Sequence, residues 1–219
     1  MMQNEIQNYQ TLVFDCDGVV LNSNQIKTDA FYEAATIYGH EAAQTLKDYH
    51  VKNGGISRYK KFEYFLSEIL GQKVDKSDLE LLLNRFATEV KKGLLASEVA
   101  EDLRQLRKKM PNANWLIVSG GDQSELRETF TLKALDELFD GGIFGSPDTK
   151  EVILEREIKQ ENILTPALFL GDSKYDYQAA NFVGLDFVFI SNWSEVDNWQ
   201  EWCKLNEIPE FASLKALLG

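Results

Sequence analysis

The sequence predicts an α/β fold: a doubly wound parallel sheet of five or more strands, with a helical cap inserted after the first strand. Three observations carry this. Short apolar runs rich in Val, Ile, Leu and Phe recur between segments of helical period, the pattern of strands joined by right-handed crossovers. Each of several runs stops at a glycine flanked by Asp or Ser, and open α/β sheets bind ligands at the carboxyl ends of their strands. Between the first run and the second, only helical periodicity is found.

The first strand is Thr11 to Phe14, followed by Asp15-Cys16-Asp17-Gly18-Val19-Val20. Asn24 to Tyr38 repeats apolar residues at helical spacing, at Ile26, Ala30, Phe31, Ala34, Ala35 and Tyr38. Weaker helical signals follow at Ala42 to Tyr49. After the Asn53-Gly54-Gly55 turn, Ile56 to Leu70 and Leu79 to Val90 are predicted helices. The cap is therefore placed at 22–94, and the sheet-bearing core at 1–21 and 95–219. In the core, Ser97 is expected to cap a helix reaching about Lys109. Trp115 to Val118 reads as a buried strand ending in Ser119-Gly120-Gly121, with Asp122 capping a helix from about Gln123 to Leu135. Gly142 to Phe144 is a short strand, and a helix is expected over Lys150 to Gln160. Ala167 to Leu170 is a strand ending in Gly171-Asp172-Ser173. A helix over Tyr175 to Val183 and a strand at Phe187 to Ile190 follow. Trp193, Trp199 and Trp202 read as packing or a subunit contact.

The 219 residues, 44% hydrophobic, suffice for one substantial core plus an insertion. With 35 acidic against 23 basic residues, the net charge of −12 repels phosphate backbones, and no basic patch argues for nucleic acid. No apolar stretch reaches the ~20 residues that span a bilayer. Met1 to Gln10 is polar and lacks the pattern of a signal peptide. A cytoplasmic protein, monomer or homodimer, is the expectation, with Cys16 and Cys203 as reduced thiols. Two acidic neighbours push the Cys16 thiol up, away from reactivity, so Cys16 reads as packing. His40 and His50 lie far from these acids in sequence.

Alternate residues of an extended chain point the same way, so Asp15 and Asp17 can converge on one site, where two carboxylates call for a cation or a shared proton. A strand closed by an Asp-Gly turn is the plain alternative, and these residues alone weigh both equally. Ser119-Gly120-Gly121 offers a hydroxyl and open backbone N–H groups ahead of a helix, suited to a phosphate, though a turn needs no ligand. Lys150, in the first turn of its helix, opposes the helix dipole; it reads either as solvated or as reaching an anion or bracing Asp15. Ser173 and Asp176 fit a capping box, which accounts for Asp176 but not for Asp172. With Asp15 and Asp17, Asp172 completes a hard-oxygen cluster suited to Mg²⁺.

In this order along the chain the residues resemble the haloacid dehalogenase-like hydrolase superfamily, the aspartate-nucleophile phosphatases. Asp15-Cys16-Asp17-Gly18-Val19 matches the first motif, Ser119 the second, Lys150 the third, and Gly171-Asp172-Ser173 through Asp176 the fourth. The resemblance implies a Rossmann-like core and an aspartyl-phosphate on Asp15, with Asp17 as acid and base. It implies Mg²⁺ held by Asp15, the backbone carbonyl of Asp17 and Asp172, with Asp176 supporting through water. Ser119, the Gly120 amide and Lys150 would bind phosphoryl oxygens. Asn53-Gly54-Gly55-Ile56-Ser57-Arg58 is similar to a cap segment of beta-phosphoglucomutases, in which the arginine holds a distal phosphate, so Arg58 is a substrate candidate; Lys60 and Lys61 read as a solvated basic face. The expected activity is Mg²⁺-dependent hydrolysis of a small phosphorylated metabolite, a sugar phosphate above others. A phosphosugar mutase sharing the same intermediate, and a phospho-accepting signalling domain that does not hydrolyse, are the alternatives.

Overall fold

A computed structural model describes residues 3–218; Met1, Met2 and Gly219, the outermost residues of the expected core and of the polar opening, lie outside it. Six strands form one parallel sheet: β1 (Thr11–Phe14), β2 (Asn114–Asp122), β3 (Gly142–Ser146), β4 (Ala167–Gly171), β5 (Asp186–Ile190) and β6 (Glu210–Phe211). Their order across the sheet is β3-β2-β1-β4-β5-β6. The chain thus winds outward on one side of β1 and then crosses to the other, so the carboxyl ends of β1 and β4 flank the topological switch point, where open α/β sheets hold their ligands.

Period two decides which side chains go where. Leu12 and Phe14 of β1 join Trp115, Ile117, Leu168 and Leu170 in a buried cluster on one face. Val13 joins Leu116, Val118 and Phe169 in the cluster on the other face. The helices α5 (Leu103–Lys109), α6 (Gln123–Leu132), α7 (Lys150–Lys159), α8 (Lys174–Phe182) and α9 (Trp199–Leu205) complete the layers. The tryptophans are packing: Trp199 stacks on Phe189, Trp202 meets the same ring edge-on, and Trp193 lies against the opposite cluster.

Between β1 and β2 lie α1 (Asn24–Ala35), α2 (His40–Lys52), α3 (Arg58–Tyr64) and α4 (Lys76–Leu94), with no strand among the described residues of 22–94. They bury an apolar cluster of their own, in which the rings of Phe31, Phe62 and Phe86 meet at 4.4–5.8 Å between centroids. Removing one such ring costs about 3–5 kcal/mol.

Several expected bounds shift for local reasons. Beyond Tyr64 the chain widens into a π-helical turn, Phe65–Ile69, so one expected helix is two segments. Ser97 caps nothing ahead of it: its hydroxyl donates back to the Leu94 carbonyl at 2.7 Å, closing α4, and α5 starts six residues later after a left-handed Asp102. Strand β2 runs on through Ser119-Gly120-Gly121 to Asp122, with a register shift against β3 after Val118. No described helix is long and apolar enough to cross a membrane.

Candidate active site

Strand β1 ends at Phe14, and the next residue, Asp15, is buried with 3% of its surface exposed. Its Oδ1 accepts from Lys150 Nζ at 2.8 Å. Lys150 itself is 1% exposed and also donates to Asp176 Oδ1. Thr149 caps α7, which fixes Lys150 in its first turn. A lysine there runs against the helix dipole, but two buried carboxylates hold it charged, and its pKa lies above the ordinary lysine value despite burial. The bracing reading of Lys150 is the one realised.

At the end of β4, Gly171-Asp172-Ser173 leads into α8. The Ser173 and Asp176 side chains form a reciprocal capping box. Asp176 Oδ2 accepts from the Asp172 and Ser173 amides and the Ser173 hydroxyl, so both its oxygens are engaged. Asp172 Oδ2 accepts from Asn24 Nδ2 at 2.7 Å, and that amide also donates to the Trp193 carbonyl. Gly18 permits this closeness: it has φ +78°, and a Cβ there would lie 2.0 Å from Asp172 Oδ2.

One oxygen from each of Asp15, Asp172 and Asp176 lies within 4.8 Å of the others. Burial is the main cause that pushes Asp15 up to about 7; Lys150 opposes it, while Asp176 and Asp17 add to it. Burial, then Asp15 and Asp176, raise Asp172 well above the usual carboxylate range. Asp15 Oδ2 and Asp172 Oδ1 receive no hydrogen bond among the described residues, and both residues border the cavity described below. Buried, all-oxygen, and reluctant to ionise together, this set fits a divalent cation. Asp176 braces from behind rather than offering a free oxygen.

Asp17 has a different environment. Lys27 of α1 donates to its Oδ2 and Ser23 to its Oδ1 at 2.6 Å. Burial raises its pKa, but the Lys27 ammonium and these hydrogen bonds outweigh burial, leaving Asp17 below the usual range. Cys16 between the acids is buried, and burial and Asp17 push its thiol well up.

The inserted helices close over these groups. A cavity of about 60 Å³ is bordered by Asp15, Asp17, Asp172 and Gly120 on the sheet side and by Lys27, His50, Arg58 and Lys61 on the helical side. At ~10–15 Å³ per water, it has room for about four to six waters. The structure does not bring Ser119 to its wall: Ser119 is fully buried, and its Oγ accepts from the Gly121 amide at 3.0 Å. Arg58 does reach the cavity, but its guanidinium is engaged by both oxygens of Glu125 on α6, and Tyr59 beside it donates to Asp122 at 2.9 Å. Lys60 is exposed and pairs with Glu63. Lys61, expected on a solvated face, is buried instead, and donates to His50 Nδ1 at 2.7 Å.

Sequence reasoning missed Asn24, Lys27, His50, Lys61 and Glu195, all on the cavity wall. The first two carried a signal: they are three apart on α1, hence on one helical face. The others carried none.

The sequence matches the model of the haloacid dehalogenase-like hydrolases over residues 9–184. No curated protein matches the chain in sequence. The fold is similar to that of a predicted phosphatase from Clostridium acetobutylicum, at TM-score 0.75 and 18% identity over 96% of both chains. It is similar also to a hydrolase from Pseudomonas syringae, at TM-score 0.74 and 18% identity over 95% of this chain and 96% of that one. A third likeness is CbbY from Rhodobacter sphaeroides in complex with phosphate, at TM-score 0.69 and 14% identity over 96% and 95%. The match spans the strand-end acids, Lys150 and the inserted helices alike, and the chain belongs to the haloacid dehalogenase-like hydrolase family.

Proposed function

We propose that the chain is a phosphomonoesterase that hydrolyses a small phosphorylated metabolite through an aspartyl-phosphate on Asp15. The observation that carries this is Asp15 itself, with one oxygen locked by Lys150 and the other unpaired at the cavity wall. Asp15 Oδ2 attacks phosphorus and the bond from phosphorus to the alcohol oxygen breaks, the alkoxide taking a proton from Asp17. Water then attacks the phosphoryl group, gives its proton to Asp17, and the bond to Asp15 breaks to release phosphate. The ion pair with Lys27 suits Asp17 to the second task, as a proton acceptor, and the proton it takes from that water is the one it gives to the alkoxide of the next turnover.

Asp15, Asp172 and the Asp17 backbone carbonyl would hold Mg²⁺, with Asp176 behind them, and the ion would neutralise charge between the carboxylates and the phosphoryl oxygens. Lys150 sets the angle of Asp15, and the Gly120 amide offers a donor to a phosphoryl oxygen. Ser119 acts one step back, ordering the Gly121 amide. In this reading 1–21 and 95–219 are the catalytic core and 22–94 the cap. The cavity as it stands takes little more than a phosphoryl group; a substrate with its leaving group enters when the cap swings out.

With Mg²⁺ present, the wild type should release phosphate from p-nitrophenyl phosphate and from small sugar phosphates. Asp15→Asn should release none while remaining folded, with the wild-type far-ultraviolet circular dichroism. Turnover retained by Asp15→Asn, or absent from the wild type on every phosphomonoester tried, overturns the reading.

A further inference from the structure

The cap side of the cavity carries a positive charge without a carboxylate partner. Lys27 pairs with Asp17, Arg58 with Glu125, and Lys150 with Asp15 and Asp176. Lys61, 1% exposed and bordering the same cavity, has no carboxylate within 4.0 Å among the described residues. It donates only to His50 Nδ1, which leaves two of its three N–H bonds without an acceptor. An ammonium cannot accept, so His50 accepts on Nδ1 and keeps its own proton on Nε2. That N–H has no partner among the described residues either, and His50 borders the cavity too. Glu195, also on the wall, takes both its hydrogen bonds from the Thr28 hydroxyl.

A buried, under-satisfied cation is costly unless something anionic completes it. We propose that Lys61 Nζ and His50 Nε2 form a subsite for a second anionic group, a carboxylate or a phosphate carried on the leaving alcohol of the substrate. This deepens the phosphomonoesterase reading and rests on it. With phosphorus at Asp15 on the sheet side, the leaving group must extend toward the cap, and these are the free donors it meets there. Burial, then the neighbouring Lys27, brings the Lys61 ammonium down to about 7, the condition an arriving anion relieves. Arg58 is not the donor, because Glu125 already occupies its fork.

Three matched probes test this: phosphoglycolate, 2-hydroxyethyl phosphate, which replaces the carboxylate by a neutral CH₂OH, and ethylene glycol bisphosphate. The wild type should favour at least one of the two anionic probes over the neutral one by tenfold or more in kcat/KM, and the one favoured identifies the group. Lys61→Met should collapse that ratio towards unity, mainly through KM, and Lys61→Arg should restore part of it. A wild-type ratio near one, or a ratio that survives Lys61→Met, overturns the subsite. If no probe is hydrolysed, the catalytic reading fails separately. The subsite is then read by calorimetry, where phosphoglycolate or the bisphosphate should bind Lys61→Met at least tenfold more weakly than wild type, and equal affinities overturn it.

Discussion

Lys150, with 1% of its surface exposed, is held by two negative partners, Asp15 and Asp176. Lys150→Met would leave both carboxylates buried without a cation. Breaking such a pair from one side costs about 3–5 kcal/mol, and urea unfolding in the presence of a chelator should show a loss of that size. A loss below about 1 kcal/mol would mean that the two acids simply take up protons, so that the pairing is not what holds this corner together. At this scale the sequence was legible where a residue was out of place locally. Lys150 stands against its helix dipole, and Asp172 exceeds what a cap needs. Lys61 shows the opposite case. Nothing in Arg58-Tyr59-Lys60-Lys61 separates the exposed Lys60 from the buried Lys61, because the packing of Phe31 and His50 around it decides the matter.

At the scale of elements, β2 and the α2–α3 turn meet backbone to backbone. A Cβ on Gly120 would lie 2.1 Å from the Gly55 carbonyl oxygen, and Gly55 itself has φ +81°. Gly120→Ala should therefore displace the cap turn while sparing the strands. A misplacement of about 1 Å near reacting groups costs on the order of a hundredfold in rate, so kcat/KM should fall by tens to a hundredfold with little change in melting temperature. Wild-type kcat/KM in this variant would show that the turn yields without consequence. Helix starts were readable where a side chain caps its own first turn, as Asp122 does for α6 and Ser173 for α8. They were misread where the backbone alone turns the chain, as at Asp102 before α5, whose side chain makes no cap bond.

Across the whole molecule, residues 15, 17, 172 and 176 become neighbours because β1 lies beside β4 in one parallel sheet, and α7, packed against α8, brings Lys150 to them. The consequence is a crowded set of buried carboxylates that holds protons where isolated ones would not. Asp15 stays protonated up to about pH 7, and Asp172 is raised as well. A divalent cation must displace those protons, so its affinity should rise with pH, on the order of tenfold per unit below pH 7 for each proton displaced. Calorimetry with Mg²⁺ between pH 6 and 8, in two buffers of different ionisation enthalpy, should show net proton release. Affinity that is flat over this range, or proton uptake, would count against Asp15 and Asp172 as the ligands.

The sequence by itself determined the parallel sheet and the acids at its strand ends, since strand period, turn residues and helix caps are encoded within a few neighbouring positions. Only the tertiary structure decided that Lys27, His50 and Lys61 face those acids, that Ser119 stands behind the wall, and that Arg58 is already taken by Glu125. Which face of an inserted helix meets the core is set by packing between segments far apart in the chain, and no local pattern records it.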